Sequence, residues 1–451
     1  MKKTLSIILA IVLLTAWGIA AAEQATRKME TAADADEFIA AFLGEHPEEL
    51  EGAWAFSPMM ETALKQLGGI AGLAKQLAAL GAPESILPAY EGEMGGMKVF
   101  HIPCAFSAMK ADLILAVQDG TIAGLQTGSY TGDREEAKAV SDLYDSMELA
   151  LPVPSLGELP GILTVPKGEG PFPAVILLQG SGASDKDESV GNVKPFRDLA
   201  EGLAEKGVAV YRFDKRSYVY GAELAANKQI TLADEYLEDA VNAVQLLAQQ
   251  ERIDPEQIWV LGHSLGGNAI PAVARELEKA QVKACGFIMM AASPRPLDVL
   301  MREQYEFLYS LMPEVTDEQQ AEKDAMFAEL DKLHDLDALG EDDTVAGVYA
   351  AYWKWLAAYD ILQAAEEITQ PVLLLQGEED YQVTTEDFGI WKEALGDKDN
   401  WQMISYPGLT HAFTPGQKTE GNAVYSHADK VDAQVIQDIA DFISRRQMMN
   451  E

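Results

Sequence analysis

The alternation of apolar and polar positions divides the chain into two unlike parts. Apolar residues recur at helical spacing over residues 33–43, 59–67 and 70–80, then give way to strand-like stretches at 98–106, 111–117 and 121–126. Asp119-Gly120, between the last two, is a hairpin turn signal. Helices first and antiparallel strands after predict a small α+β domain over residues 23–145. An acidic stretch of helical character, 134–149, then leads to Pro152, Pro154 and Pro160, which read as a stiff linker. From about Leu151 to the C-terminus, residues 151–451, the pattern changes. Short β-rich apolar runs at 161–165, 174–178, 208–212, 257–261 and 284–291 are separated by amphipathic helices at 195–206, 232–250 and 265–277. This alternation predicts a mainly parallel sheet covered on both faces, an α/β fold with its working loops at the carboxyl ends of the strands. Between about residues 293 and 367 only helical segments occur, at 298–311, 317–332 and 345–358, so a helical cap is expected where it would cover a site. Strands resume at 371–375 and 401–405, and a last helix is expected at 430–443.

The first 22 residues belong to neither part. Lys2-Lys3, an apolar run from Leu5 to about Ala21 and the small residues Ala20-Ala21-Ala22 before Glu23 read as a secretory signal, so the chain is expected to be exported. No Cys lies near the cleavage point to carry a lipid anchor, and no later segment is long and apolar enough to span a bilayer. Removing the signal takes away two lysines and no acid and moves the net charge from −38 to −40. Such a surface repels nucleic acid and anionic lipid and leaves the reaction open. An apolar share of 48% with 24% charged residues is that of a folded globular protein. Cys104 and Cys285 fall in different expected domains, which favours buried free thiols, while export leaves a disulfide between them open.

Chemistry enters at Gly262-His263-Ser264-Leu265-Gly266, a G-x-S-x-G turn that follows the apolar strand and opens the 265–277 helix. A serine at such a tip sits in a strained backbone, and a Cβ two positions to either side would crowd it, so Gly262 and Gly266 suit the turn. The amide of Leu265 then points where an oxyanion would form. Ser264 needs a base and the base a carboxylate, in the chain order nucleophile, acid, histidine. Asp380 follows the 371–375 strand in a G-x-x-D-x-x-V loop, with Glu379 as its rival and Glu378 as a solvated turn residue. His411 follows the 401–405 strand, with His427 as the fallback. His263 reads as packing beside the strand, and His46, His101 and His334 as ordinary sheet or surface residues without metal spacing. A second oxyanion donor is expected from Gln179-Gly180-Ser181-Gly182 after the 174–178 strand, with Ser181 first and Gly182 next. Asp185, Asp187 and Glu188 beyond it lack a calcium pattern and read as a solvated loop. Asp214, Lys215 and Arg216 read as a structural charge cluster. Tyr305, Phe307, Tyr309, Tyr352, Trp353, Trp355 and Tyr359 give the cap an aromatic population, most of it core and some of it free to meet an apolar substrate group.

From about Leu159 to the C-terminus the chain resembles the α/β-hydrolase superfamily. The residues that carry the resemblance are Gln179-Gly180-Ser181-Gly182, the run Lys194-Pro195-Phe196-Arg197-Asp198-Leu199-Ala200, Arg212-Phe213-Asp214-Lys215-Arg216 and Gly262 to Gly267. It is most similar to exported bacterial carboxylesterases allied to dienelactone hydrolases and acyl-CoA thioesterases. The resemblance implies Ser264, Asp380 and His411 as a catalytic triad and leaves the substrate open. Residues 23–145 resemble, in topology alone, the cystatin-like or nuclear-transport-factor-like domains that precede some exported esterases. The expectation is a serine hydrolase acting on a small-molecule ester, with no cofactor, no metal and no nucleic-acid partner. A peptidase, a thioesterase and a non-catalytic binding protein are the alternatives.

Overall fold

The computed structural model describes residues 27–44, 46–77, 80–94, 97–107, 110–128, 141–428 and 430–450. The expected signal, residues 1–22, lies outside the described residues, as do residues 134–140 of the acidic stretch. Among the described residues no helix is long and apolar enough to cross a membrane. The described residues fall into two compact units, one over 27–128 together with 190–192 and the other over 141–189 and 193–450.

In the first unit, helix Ala32–Phe42 is started by a capping box in which Thr31 and Asp34 satisfy each other's backbone amides. It buries Ala35, Phe38, Ile39 and Phe42, the one-sided spacing of an amphipathic helix. Helices Pro58–Leu67 and Ile70–Leu77 follow. The sheet is antiparallel, in the order Pro83–Ile86, Met97–Phe106, Lys110–Gln118, Thr121–Gly128, with Tyr90–Met94 also paired to Met97–Phe106. The expected turn is there: Asp119 and Gly120 both have positive φ, 53° and 79°. The two outer strands Pro83–Ile86 and Tyr90–Met94 were not foreseen, because neither carries an apolar alternation.

The second unit is built on an eight-stranded sheet. Its order is Trp401–Tyr406, Val372–Gly377, Gly286–Met290, Ile253–His263, Phe172–Leu178, Ala209–Phe213, Gly161–Pro166, Tyr144–Glu148. The first six run parallel, and Gly161–Pro166 is antiparallel to both of its neighbours. Period-two alternation explains why the central strands read as unbroken apolar runs. Ala174, Ile176 and Leu178 enter one core beside helices Leu232–Leu247 and Leu265–Lys279, while Val175 and Leu177 enter the other beside helices Pro195–Glu205 and Ala433–Asn450. Ile258 and Val260 face the first core, Trp259 and Leu261 the second.

Three expectations are corrected. Tyr144–Glu148 is a strand on the sheet's edge and not part of a helix, so this unit begins before Leu151. Residues 151–159 are not a linker: Leu151–Val153 and Gly157–Leu159 form a small hairpin whose Leu151, Val153 and Leu159 are fully buried. Pro152 is exposed within its short strand and Pro154 lies in the turn that follows, positions at which proline is tolerated. The inserted segment is mainly helical, with Leu297–Ser310, Asp317–Asp331, Ala350–Ala358 and Ile361–Glu366, but a two-residue pairing of Thr344–Val345 with Val348–Tyr349 interrupts it. Neither cysteine is in a disulfide; Cys104 is buried as expected, whereas Cys285 is only half-buried, and burial pushes the Cys104 thiol up to about 12.

Candidate active site

Strand Ile253–His263 ends against helix Leu265–Lys279 with a single residue, Ser264, between them. Ser264 has φ 54° and ψ −121°, a region L-residues rarely enter. Holding it there costs about 1–3 kcal/mol, so the surroundings must over-determine it. They do so by close backbone approach. A Cβ on Gly262 would lie 2.2 Å from the Gly266 carbonyl oxygen, and one on Gly266 would lie 2.3 Å from that of Leu178 and 2.5 Å from that of Gln179. The Ser264 amide donates to the Met290 carbonyl at 2.8 Å, which ties the turn to the next strand. The helix contains Pro271, which removes one intrahelical donor. Tyr359 of the inserted segment enters the ladder beside it, accepting from the Ala272 amide and donating to the Asn268 carbonyl, both at 3.1 Å.

The loops after the last two strands meet. His411 Nδ1 lies 2.6 Å from Asp380 Oδ2, and both residues are buried. The other oxygen, Oδ1, accepts the amides of Gln382 at 2.7 Å and Val383 at 3.0 Å, so the carboxylate is held by its own loop. Gly377 lets the two loops close: a Cβ there would lie 2.5 Å from the carbonyl oxygens of Leu409 and Thr410. Glu379, the rival acid, instead accepts the Lys418 amide, and Glu378 accepts the Ser405 hydroxyl. His427 is paired at the surface with Glu420. The imidazoles of His411 and His263 lie 4.7 Å apart between centroids, which brings His411 to the residue adjoining Ser264.

Leu265 is the first residue of its helix, so its amide lacks an intrahelical acceptor. Ser181 and Gly182 are exposed at the end of strand Phe172–Leu178, Gly182 with φ 85°. Gly180 is pressed on Ser264: a Cβ there would lie 3.1 Å from that of the serine. Most cap aromatics are packed or bonded within the fold. Tyr352 donates to Glu235 at 2.7 Å, Trp353 to the Val345 carbonyl at 3.1 Å, and Phe307 stacks on Tyr381 at 5.2 Å. A cavity of about 230 Å³ adjoins the acid loop and is lined in part by Phe307, Asp380, Tyr381 and Lys418. Neither Ser264 nor His411 lines it.

The 185–188 segment is not a solvated loop. Asp185 accepts from the Ser189 amide and hydroxyl at 2.9 and 2.8 Å, and Asp187 pairs with Arg212 at 2.8 Å. Glu188 turns inward, where Oε1 accepts the Gly180 amide at 2.6 Å and Oε2 stands 3.0 Å from His263 Nδ1, without the alignment of a hydrogen bond. Among the described residues no group of three or more His, Cys, Asp or Glu is placed to hold a metal ion. Sequence reasoning missed the link from Glu188 to His263; its partners are distant in the chain, and only the acidic run after a Gly-rich loop hinted at it.

His263 is therefore more than a packing residue. Its Nε2 lies 2.9 Å from the His411 carbonyl oxygen, which can only accept, so this nitrogen carries a proton. Burial pulls its pKa down, but the Glu188 carboxylate, the His411 carbonyl and Asp380 together outweigh burial and the net shift is upward. A histidine raised in the folded state contributes stability that is complete below its unfolded value of about 6.5 and is lost as pH rises through the folded value. Glu188→Gln removes the first of these attractions and leaves the burial, so the folded value falls and the variant has less of the stability that the parent keeps below about 6.5. Melting temperatures of both proteins across that range test this; parallel profiles would contradict it.

With the geometry in place, kinship is informative. The chain matches the family described as serine aminopeptidase, S33, over residues 190–415. It is 35% identical over 328 residues to esterase EstD of Thermotoga maritima, across 73% of this chain and 75% of that one. A shorter stretch of 110 residues is 34% identical to 2,6-dihydropseudooxynicotine hydrolase of Paenarthrobacter nicotinovorans, covering 24% of this chain and 26% of that one. Among solved structures, Est1E from Butyrivibrio proteoclasticus has a TM-score of 0.44 at 15% identity, covering 67% of this chain and 99% of that one. The extent of the family match and of the EstD alignment means that this chain belongs to the serine aminopeptidase S33 family of α/β-hydrolases.

Proposed function

We propose that the protein is an exported carboxylesterase that works through an acyl-enzyme on Ser264. The observation that carries this reading is the 2.6 Å contact of His411 with Asp380 beside a serine held in a strained strand-to-helix turn. Ser264 Oγ attacks the ester carbonyl carbon while its proton passes to His411 Nε2, the ring nitrogen that Asp380 leaves free. Asp380 stays ionised, fixes the tautomer and balances the imidazolium that forms. The negative oxygen of the tetrahedral intermediate is met by the amides of Leu265 and Ser181. The intermediate collapses, the alcohol leaves with the proton from His411, and water repeats the cycle to release the acid and restore Ser264. No cofactor takes part in this sequence.

EstD is an esterase, and its similarity over most of both chains favours an ester as the substrate class. The family description favours a second reading, cleavage of a peptide's N-terminal residue by the same residues. Matched ester and anilide substrates with the same acyl group separate the two. The expected result is a clear preference for the ester and a loss of at least about 10³-fold in kcat for Ser264→Ala, whose contribution is made in the transition state. Preference for the anilide would overturn the substrate class, and unchanged turnover by the variant would overturn the mechanism.

Export rests on the N-terminal pattern of Lys2-Lys3, an apolar run and Ala20-Ala21-Ala22. Sequencing the N-terminus of the protein recovered from outside the cytoplasm should give a chain starting at Glu23. A protein found only in the cytoplasm and still starting at Met1 would contradict it.

A further inference from the structure

We infer that Lys215 is a positioning residue for the oxyanion donor, acting through the Gly180 carbonyl; the inference rests on the esterase reading above. Lys215 lies two residues beyond the strand Ala209–Phe213 and is almost wholly buried, at 2% exposure. Its ammonium donates to the Gly180 carbonyl oxygen at 2.6 Å and to the Tyr236 hydroxyl at 2.8 Å. Tyr236, equally buried, passes its own proton toward the carbonyls of Gln179 at 2.9 Å and Gly180 at 3.0 Å. The charge is balanced by Glu235 at 2.7 Å, which in turn accepts from Tyr352.

The peptide bond carries this arrangement into the site. A trans peptide is planar, with its C=O and N–H pointing in opposite directions. Pinning the Gly180 carbonyl toward Lys215 and Tyr236 therefore aims the Ser181 N–H the other way. Gly180 packs on Ser264, since a Cβ there would come within 3.1 Å of the serine's, and the Ser181 amide is the next one along the chain. The amide of Gly180 itself is not available, because Glu188 takes it at 2.6 Å. Two buried charges of opposite sign thus hold the two sides of Gly180 and leave the Ser181 N–H as this loop's donor. A charge-assisted bond to the carbonyl also polarises the amide it belongs to, which strengthens the N–H on the far side. Filling space alone would not need an ammonium, since burying one is costly and an apolar chain of the same length would pack without that cost.

The test uses the full chain and an aryl trifluoromethyl ketone. Ser264 Oγ adds to the ketone carbon, its proton passes to His411, and the carbonyl oxygen becomes an oxyanion like that of the reaction. Two variants are compared with the parent: Lys215→Met, and Lys215→Met with Glu235→Gln, which leaves no unpaired buried carboxylate. The expected result is a loss of about 10- to 100-fold in kcat with KM within about twofold, and a matching loss of affinity for the ketone. Variants that fold and bind the ketone as tightly as the parent overturn the inference, as does a rise in KM with unchanged kcat. Should neither variant fold, Tyr236→Phe keeps the Lys215 to Glu235 pair and removes one donor; it should weaken ketone binding, and unchanged binding overturns the inference. A parent protein that forms no ketone adduct overturns the esterase reading itself, whereas a parent adduct with equal affinity in the variants overturns only the role of Lys215.

Discussion

The backbone at Ser264 is the constraint around which the catalytic unit is arranged. Its φ of 54° and ψ of −121° persist because the turn is crowded from every side by other backbone. The carbonyls of Leu178 and Gln179 sit where a Cβ on Gly266 would be, and the Gly266 carbonyl sits where one on Gly262 would be. The glycine spacing of the pentapeptide is thus a packing requirement. The same crowding holds the Gly180 loop against the serine, so the proposed nucleophile and the loop proposed to supply an oxyanion donor share one set of contacts.

Around that turn each buried charged group has a partner. Asp380 answers His411, Glu188 answers His263 and the Gly180 amide, and Lys215 answers Glu235 and the Gly180 carbonyl. An unpaired ion in such a place would be expelled or neutralised, whereas a paired one fixes direction. Each pair orients a group one step from the chemistry: an imidazole, the backbone of the histidine loop, or a peptide plane.

Much of this was legible in the sequence, for physical reasons that also mark where legibility ends. Strands such as Phe172–Leu178 and Ile253–His263 announce themselves because both faces are buried, which forces continuous apolar runs. Asp380 and His411 could be singled out because they follow the last two such strands in the chain order this fold requires. Tyr144–Glu148 was misread because an edge strand with Met147 left exposed lacks that run, and its acidic neighbours suggested a helix. The 151–159 hairpin was misread because three prolines outweighed three apolar residues whose burial depends on a helix much later in the chain. The roles of Glu188, His263 and Lys215 were out of reach, since charged residues near a strand end read alike whether they meet water or a peptide group. Only folding reveals which.

The central claim is that Ser264 carries the acyl group between the two halves of the reaction. Rapid mixing of the protein with excess p-nitrophenyl ester, acid quenching and peptide mapping by mass spectrometry test it most directly. The account predicts a burst of p-nitrophenol no larger than the enzyme concentration and an acyl group on the peptide that contains Ser264. Turnover with the acyl group on another residue would contradict it.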